Sequence, residues 1–92
     1  MTDQQSPIPH DPNARRKYGW DWGQWLEEGE TLVSVVATAQ NVSIEPAAIV
    51  GTQTVAWTTG GTKGSPAGIT FHVTTSTGAQ DDRTLRLAVG ER

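Results

Sequence analysis

The chain contains no cysteine, which excludes disulfide staples, thiolate metal sites and cysteine nucleophiles together. No apolar run approaches the ~20 residues needed to span a bilayer, so a membrane is not an expected partner. The opening Met1-Thr-Asp-Gln-Gln5 lacks the basic and apolar regions of a secretory signal, and the expectation is synthesis in a cytosol-like compartment. Positive charge is scarce as well. Seven Lys and Arg against ten Asp and Glu leave a net charge of −3, whereas polyanion binders of this size usually carry a basic excess, so nucleic acid is not an expected partner either. The one basic run, Arg15-Arg16-Lys17, is flanked by Asp11 and Asp21 and reads as a solvated or partner-facing patch.

Apolar residues make up only 35% of the 92, a lean core for what can be one small domain at most. Much of the remainder is small and polar, with 13 Thr, 10 Gly and 5 Ser. Without staples, such a chain must gain stability from efficient packing or from a partner, and the partner is the favoured source.

From Thr31 onward the hydrophobic pattern has period two, the mark of half-buried antiparallel strands. The run Gln53 to Thr58 puts Val55 and Trp57 on one face and Thr54, Ala56 and Thr58 on the other. In Ile69 to Thr75, Ile69, Phe71 and Val73 point inward, and in Thr84 to Val89 the inward set is Leu85, Leu87 and Val89. These read as three faces of one core. Leu32 to Ala37 is apolar on both faces, as expected of a central strand, and Val42 to Ile44 and Ala48 to Val50 are short additions. Turn signals stand between the runs at Gly51, at Gly60-Gly-Thr-Lys-Gly64 and at Ser76-Thr-Gly78, the last short enough for a hairpin joining the final two strands. Six or seven strands in about 75 residues predict an all-β fold, a small immunoglobulin-like antiparallel β-sandwich, with an SH3-like or OB barrel as the alternative.

Ahead of the strands, residues 1–16 hold Pro7, Pro9 and Pro12 with Ile8 as the one sizeable apolar side chain. The expectation is an extended Pro-rich arm over 1–16 and a sandwich domain over 17–92, with the arm removable without loss of folding. Ile8, Pro9, Pro12, Arg15, Arg16 and Lys17 are the expected partner-binding residues. At the domain entrance Asp21 is placed to cap one helical turn from Trp22 and Gly29 to end it, with Trp22, Trp25 and Leu26 on a common face.

Three of the four Trp, Trp20, Trp22 and Trp25, fall within six positions. Such a cluster is either a platform for sugars or stacked bases or a lid burying large side chains over a lean core, and the lid, a structural aromatic cluster, is favoured. His10 and His72 are the only histidines, neither beside a second ligand at metal-site spacing, so no metal site is expected. Glu27-Glu28 and Asp81-Asp82 are adjacent pairs that point apart on turns, with Arg83 or Arg86 expected to pair across the last hairpin. Gly60 to Gly64 misses the phosphate-loop spacing. No nucleophile, base and orienting group line up, so neither catalytic residues nor cofactors are expected and the chain reads as a non-enzyme.

Asp11-Pro12, Tyr18-Gly-Trp-Asp-Trp22, Trp25-Leu26, Glu28-Gly-Glu-Thr31, Val55-Ala-Trp57, Gly60-Gly61, Thr74 to Gly78 and Asp82-Arg-Thr84 through Glu91-Arg92 together resemble the small immunoglobulin-like virion proteins of tailed bacteriophages described as fibre-tail adaptors. The resemblance runs over residues 11–92 and rests on the order and spacing of short motifs. It implies a non-enzymatic virion protein at the neck, tail or fibre attachment, made in the host cytoplasm, present in symmetric multiple copies and docked on other virion subunits through its arm and sheet edges. The alternatives are a capsid decoration protein and a carbohydrate-binding domain that presents the Trp cluster to a host glycan, the less favoured partner.

Overall fold

The alternation of apolar and small polar side chains is realised as eight strands in a computed structural model that describes residues 7–90. Expectations for residues 1–6, Glu91 and Arg92 lie outside the described residues. The strands are β1 (Ile8–His10), β2 (Arg15–Asp21), β3 (Leu32–Gln40), β4 (Ser43–Ile44), β5 (Ala48–Val50), β6 (Gln53–Thr59), β7 (Pro66–Thr75) and β8 (Gln80–Val89). They form two sheets, ordered β1-β8-β7-β3 and β2-β6-β4, with β5 also paired to β6. The fold is an all-β sandwich, and among the described residues there is no helix.

The β7–β8 hairpin matches the sequence reading closely. Ile69, Phe71, Val73, Leu85, Leu87 and Val89 all lie in the core, and the turn closes through the Thr75 amide on the Ala79 carbonyl at 2.8 Å. Gly78 sits there at φ 91°, a conformation that costs glycine nothing.

Strand β6 has the opposite phase from the one expected. Thr54, Ala56 and Thr58 are buried, and Trp57 is 37% exposed. The cause lies in the partner strand, since β2 pairs antiparallel with Tyr18 opposite Ala56 and Trp20 opposite Thr54. Both aromatics pack on the core, so β6 must present its small side chains there to keep the interior at normal density. Thr54 also supplies the acceptor that a buried indole requires, with Trp22 Nε1 donating to its Oγ1 at 3.1 Å.

Strand β3 is an edge strand and not a central one, paired among the described residues with β7 alone. Val33 and Val36 stand 57% and 61% exposed. Apolar residues on both faces suit a central strand, but β-branched residues favour extended backbone wherever it lies, so the pattern alone does not separate the two.

The described part of the expected arm is woven into the sandwich. Strand β1 pairs in parallel with β8, Ile8 opposite Leu87 and His10 opposite Val89, which makes that sheet mixed where a purely antiparallel one was expected. Pro9 is tolerated because an edge strand can leave one amide position unpaired. His10 is 1% exposed; its Nε2 donates to the Gly60 carbonyl at 3.1 Å and its Nδ1 accepts from the Tyr18 hydroxyl at 2.9 Å. These bonds tie together β1, β2 and the β6–β7 loop. Asp11 to Ala14 forms a turn, and β2 then begins at Arg15, so a domain boundary after residue 16 would cut through a strand.

After β2 the expected helical turn exists as a single turn. The amides of Trp25 and Leu26 donate to the Trp22 carbonyl at 2.9 and 3.1 Å, while Asp21 Oδ1 accepts from the Gly23 amide at 2.8 Å and from the Thr52 hydroxyl at 2.9 Å. Trp22 is fully buried and meets Trp25 edge-to-face at 5.2 Å between ring centroids. Trp20 and Trp25 are half-buried against the core.

Candidate functional site

The register of β2 on β6 divides the seven residues of β2 into two sets. In an antiparallel pair, alternate residues direct their backbone groups toward the partner and the rest direct them away. The Trp22 amide donates to the Thr52 carbonyl at 2.8 Å. Counting back by twos along the register, Trp20, Tyr18 and Arg16 also bond to β6. The same alternation leaves Arg15, Lys17, Gly19 and Asp21 with amides and carbonyls facing away from β6. Among the described residues no strand lies on that side of β2, and all four residues are exposed.

Those four residues also share the outer face of the sheet, opposite Thr59, Trp57, Val55 and Gln53 in turn. Here the Arg15 guanidinium lies 4.0 Å from the Trp57 ring centroid, and Lys17 Nζ lies 5.5 Å from it. Arg15 is held by a two-point contact, Nε and Nη2 donating to the Glu45 carboxylate at 2.8 and 3.0 Å. That contact raises the pKa of Arg15 and lowers that of Glu45. Both partners are half exposed, so the pair orders the surface more than it stabilises the fold. Val50, 59% exposed, stands opposite Gln53 at the other end of this face. Between Lys17 and Asp21 the face dips into a shallow trough at Gly19 lined also by Gln53 and Val55. A Cβ at Gly19 would stand 2.5 Å from the Thr54 carbonyl oxygen and 2.7 Å from Val55 Cγ1, so close strand approach and not chance leaves this position bare.

The residues singled out by sequence are therefore distributed unequally. Arg15 and Lys17 meet on one exposed face, while Arg16 lies on the other side of β2 in exposed surroundings. Pro9 is exposed, Ile8 packs partly on the core, and Pro12 sits half-buried in the turn before β2. Sequence reasoning missed Trp57 and Glu45 as parts of the surface. The alternation of β6 by itself puts Trp57 on the core face, and Glu45 lies 30 residues from Arg15, with no local signal to join them.

Elsewhere the polar clusters hold structure together. On the outer face of the other sheet, His72 Nδ1 pairs with the Asp82 carboxylate directly across the hairpin, and Nε2 meets Gln80 Oε1 at 3.2 Å. The contact with Asp82 raises the His72 pKa. This is an orienting partner that sequence reasoning did not find, yet both ring nitrogens are engaged and no hydroxyl is held as a nucleophile. Arg83 reaches back along its own strand, Nη1 donating to Asp81 Oδ2 at 2.9 Å, with its guanidinium 5.6 Å from the Trp22 ring centroid. Glu30 accepts from the hydroxyls of Thr75 and Thr77, which lower its pKa. Among the described residues no three His, Asp or Glu side chains gather where they could hold a metal ion.

A search of curated proteins finds no match. The family model for the podophage GP4 fiber-tail adaptor protein gp77 matches residues 10–88, from the buried His10 at the end of β1 to Ala88 near the end of β8. That span takes in β2, with its open edge and its outer face, together with nearly all of both sheets. The match covers most of the chain, and the chain belongs to the podophage fibre-tail adaptor family.

Proposed function

We propose that this protein is a non-enzymatic adaptor that docks on neighbouring virion subunits at the fibre attachment through the outer face of the β2–β6 sheet. The observation that carries the reading is Trp57, more than a third exposed and stacked under an Arg15 already clamped by Glu45. Trp and Arg dominate the energetics of protein interfaces, and a side chain ordered beforehand loses less entropy on binding. Lys17 flanks the pair and supplies a charged rim, and Val50 adds exposed apolar surface at the far end of the same face. Pro9 on β1 and Arg16 on β2, exposed on different sheets, are the remaining members of the sequence-derived patch open to a partner.

The glycan alternative has less support. Trp22 has no exposed surface, and Trp57 carries a guanidinium on its ring where a sugar would stack. The test is Trp57→Ala. It should leave the melting temperature within a few degrees of the parent, because the side chain lies outside the core, while sharply reducing incorporation into particles or binding to purified tails. Full incorporation of a folded Trp57→Ala protein would remove this face from the docking surface.

A further inference from the structure

The open edge of β2 is complementary to itself. Its outward-directed backbone groups belong to Arg15, Lys17, Gly19 and Asp21, which are spaced symmetrically about Tyr18. A second β2 laid antiparallel along this edge, with its two-fold axis at Tyr18, sets Arg15 opposite Asp21 of the second copy and Lys17 opposite Gly19 of the second copy. Every outward amide and carbonyl then finds a partner, up to about eight hydrogen bonds across the pair. The side chains agree with the backbone. Each Arg15, with Nε and Nη2 on Glu45, has Nη1 left for the facing carboxylate. Each Lys17 faces the bare trough at Gly19 of the second copy, where no side chain obstructs it.

A shift of the pairing by two residues places cation against cation or leaves backbone groups unpaired, so charge and hydrogen bonding select the same register. We infer that β2 is a copy-to-copy contact, an isologous edge-to-edge pairing that joins the two outer faces into one continuous sheet. Among the described residues only charge guards this exposed seven-residue edge of three consecutive cations and one anion, and here the charge is arranged to admit the same strand reversed. The contact is small, so it is weak between free chains and gains strength where copies are held together in an assembly. The inference goes beyond the docking assignment and is read on the isolated chain, so either can fail without the other.

The test is sedimentation equilibrium of the full chain from about 10 µM to about 1 mM, the range that a single strand pair calls for. It is paired with amide exchange of Lys17 and Gly19 at the two ends of that range. A reversible dimer is expected, weakened at least ~10-fold by Lys17→Glu, which turns a carboxylate toward Asp21 of the second copy. Both amides should exchange more slowly in the concentrated sample. The exchange measurement uses the unaltered chain, so it decides the matter even if the variant folds poorly. A protein that stays monomeric throughout, a dimer indifferent to Lys17→Glu, or Lys17 and Gly19 amides that exchange equally fast at both concentrations would each overturn the inference.

Discussion

Replacing Thr54 with valine separates the two phases that β6 could adopt. The side chains have nearly the same shape, and valine is the stronger strand former, so on an outer face the change would be neutral or mildly stabilising. In the structure Thr54 is fully buried and its hydroxyl accepts from the Trp22 indole at 3.1 Å. Valine leaves that N–H buried without an acceptor, a penalty of ~1–3 kcal/mol. For a domain of this size the melting temperature falls by roughly 4–8 °C for each kcal/mol. Thr58→Val is the internal control. Thr58 is equally buried, but its hydroxyl only donates to the Ala56 carbonyl at 3.3 Å; it orphans no donor when removed and should shift stability by less than ~0.5 kcal/mol. Thermal and urea unfolding of the two variants side by side provide the assay. A Thr54→Val protein as stable as its parent, or a Thr58→Val protein that loses more, would refute the reasoning about the buried face.

Deleting residues 1–12 removes β1 and the His10 bonds to Tyr18 and Gly60, and should abolish cooperative unfolding or lower its midpoint markedly; calorimetry of an unchanged transition would mean that β1 is dispensable. Glu30 has a lowered pKa because the Thr75 and Thr77 hydroxyls favour its charged form. Its contribution is therefore complete above the unfolded value near 4.5 and lost as pH falls through the lower folded value, so Glu30→Gln should flatten the acid limb of a stability–pH curve. His72 has the opposite sign. Its pKa is raised by Asp82, so its contribution is complete below the unfolded value near 6.5 and fades as pH rises through the higher folded value. Proton NMR should place the His72 titration above 6.5, and Asp82→Asn should bring it back toward that value.

The sequence by itself determined the strand content, because period-two alternation survives wherever one face of a strand is buried. It fixed β7, β8 and their turn in detail, since Ile69, Phe71, Val73, Leu85, Leu87 and Val89 alternate strictly and Gly78 marks the reversal. The same signal was present in Tyr18, Trp20 and Trp22, spaced by two, but helical spacing from Trp22 to Trp25 competed with it. Trp25 in fact closes one turn on Trp22, so both periods are genuine and meet at that residue. What only tertiary structure decided was which side of a strand faces inward when one side is threonine, and which strands lie at edges. Thr54 is inward because an indole 32 residues away needs its oxygen, and Ala56 because Tyr18 fills the space opposite. Likewise, three prolines among residues 7–12 predict a free arm on local grounds, while the parallel pairing with β8 and the burial of His10 depend on residues at the far end of the chain. The Arg15–Trp57–Glu45 surface is of the same kind, assembled from β2, β6 and the residue after β4, because only the sheet register brings those positions within reach of one another.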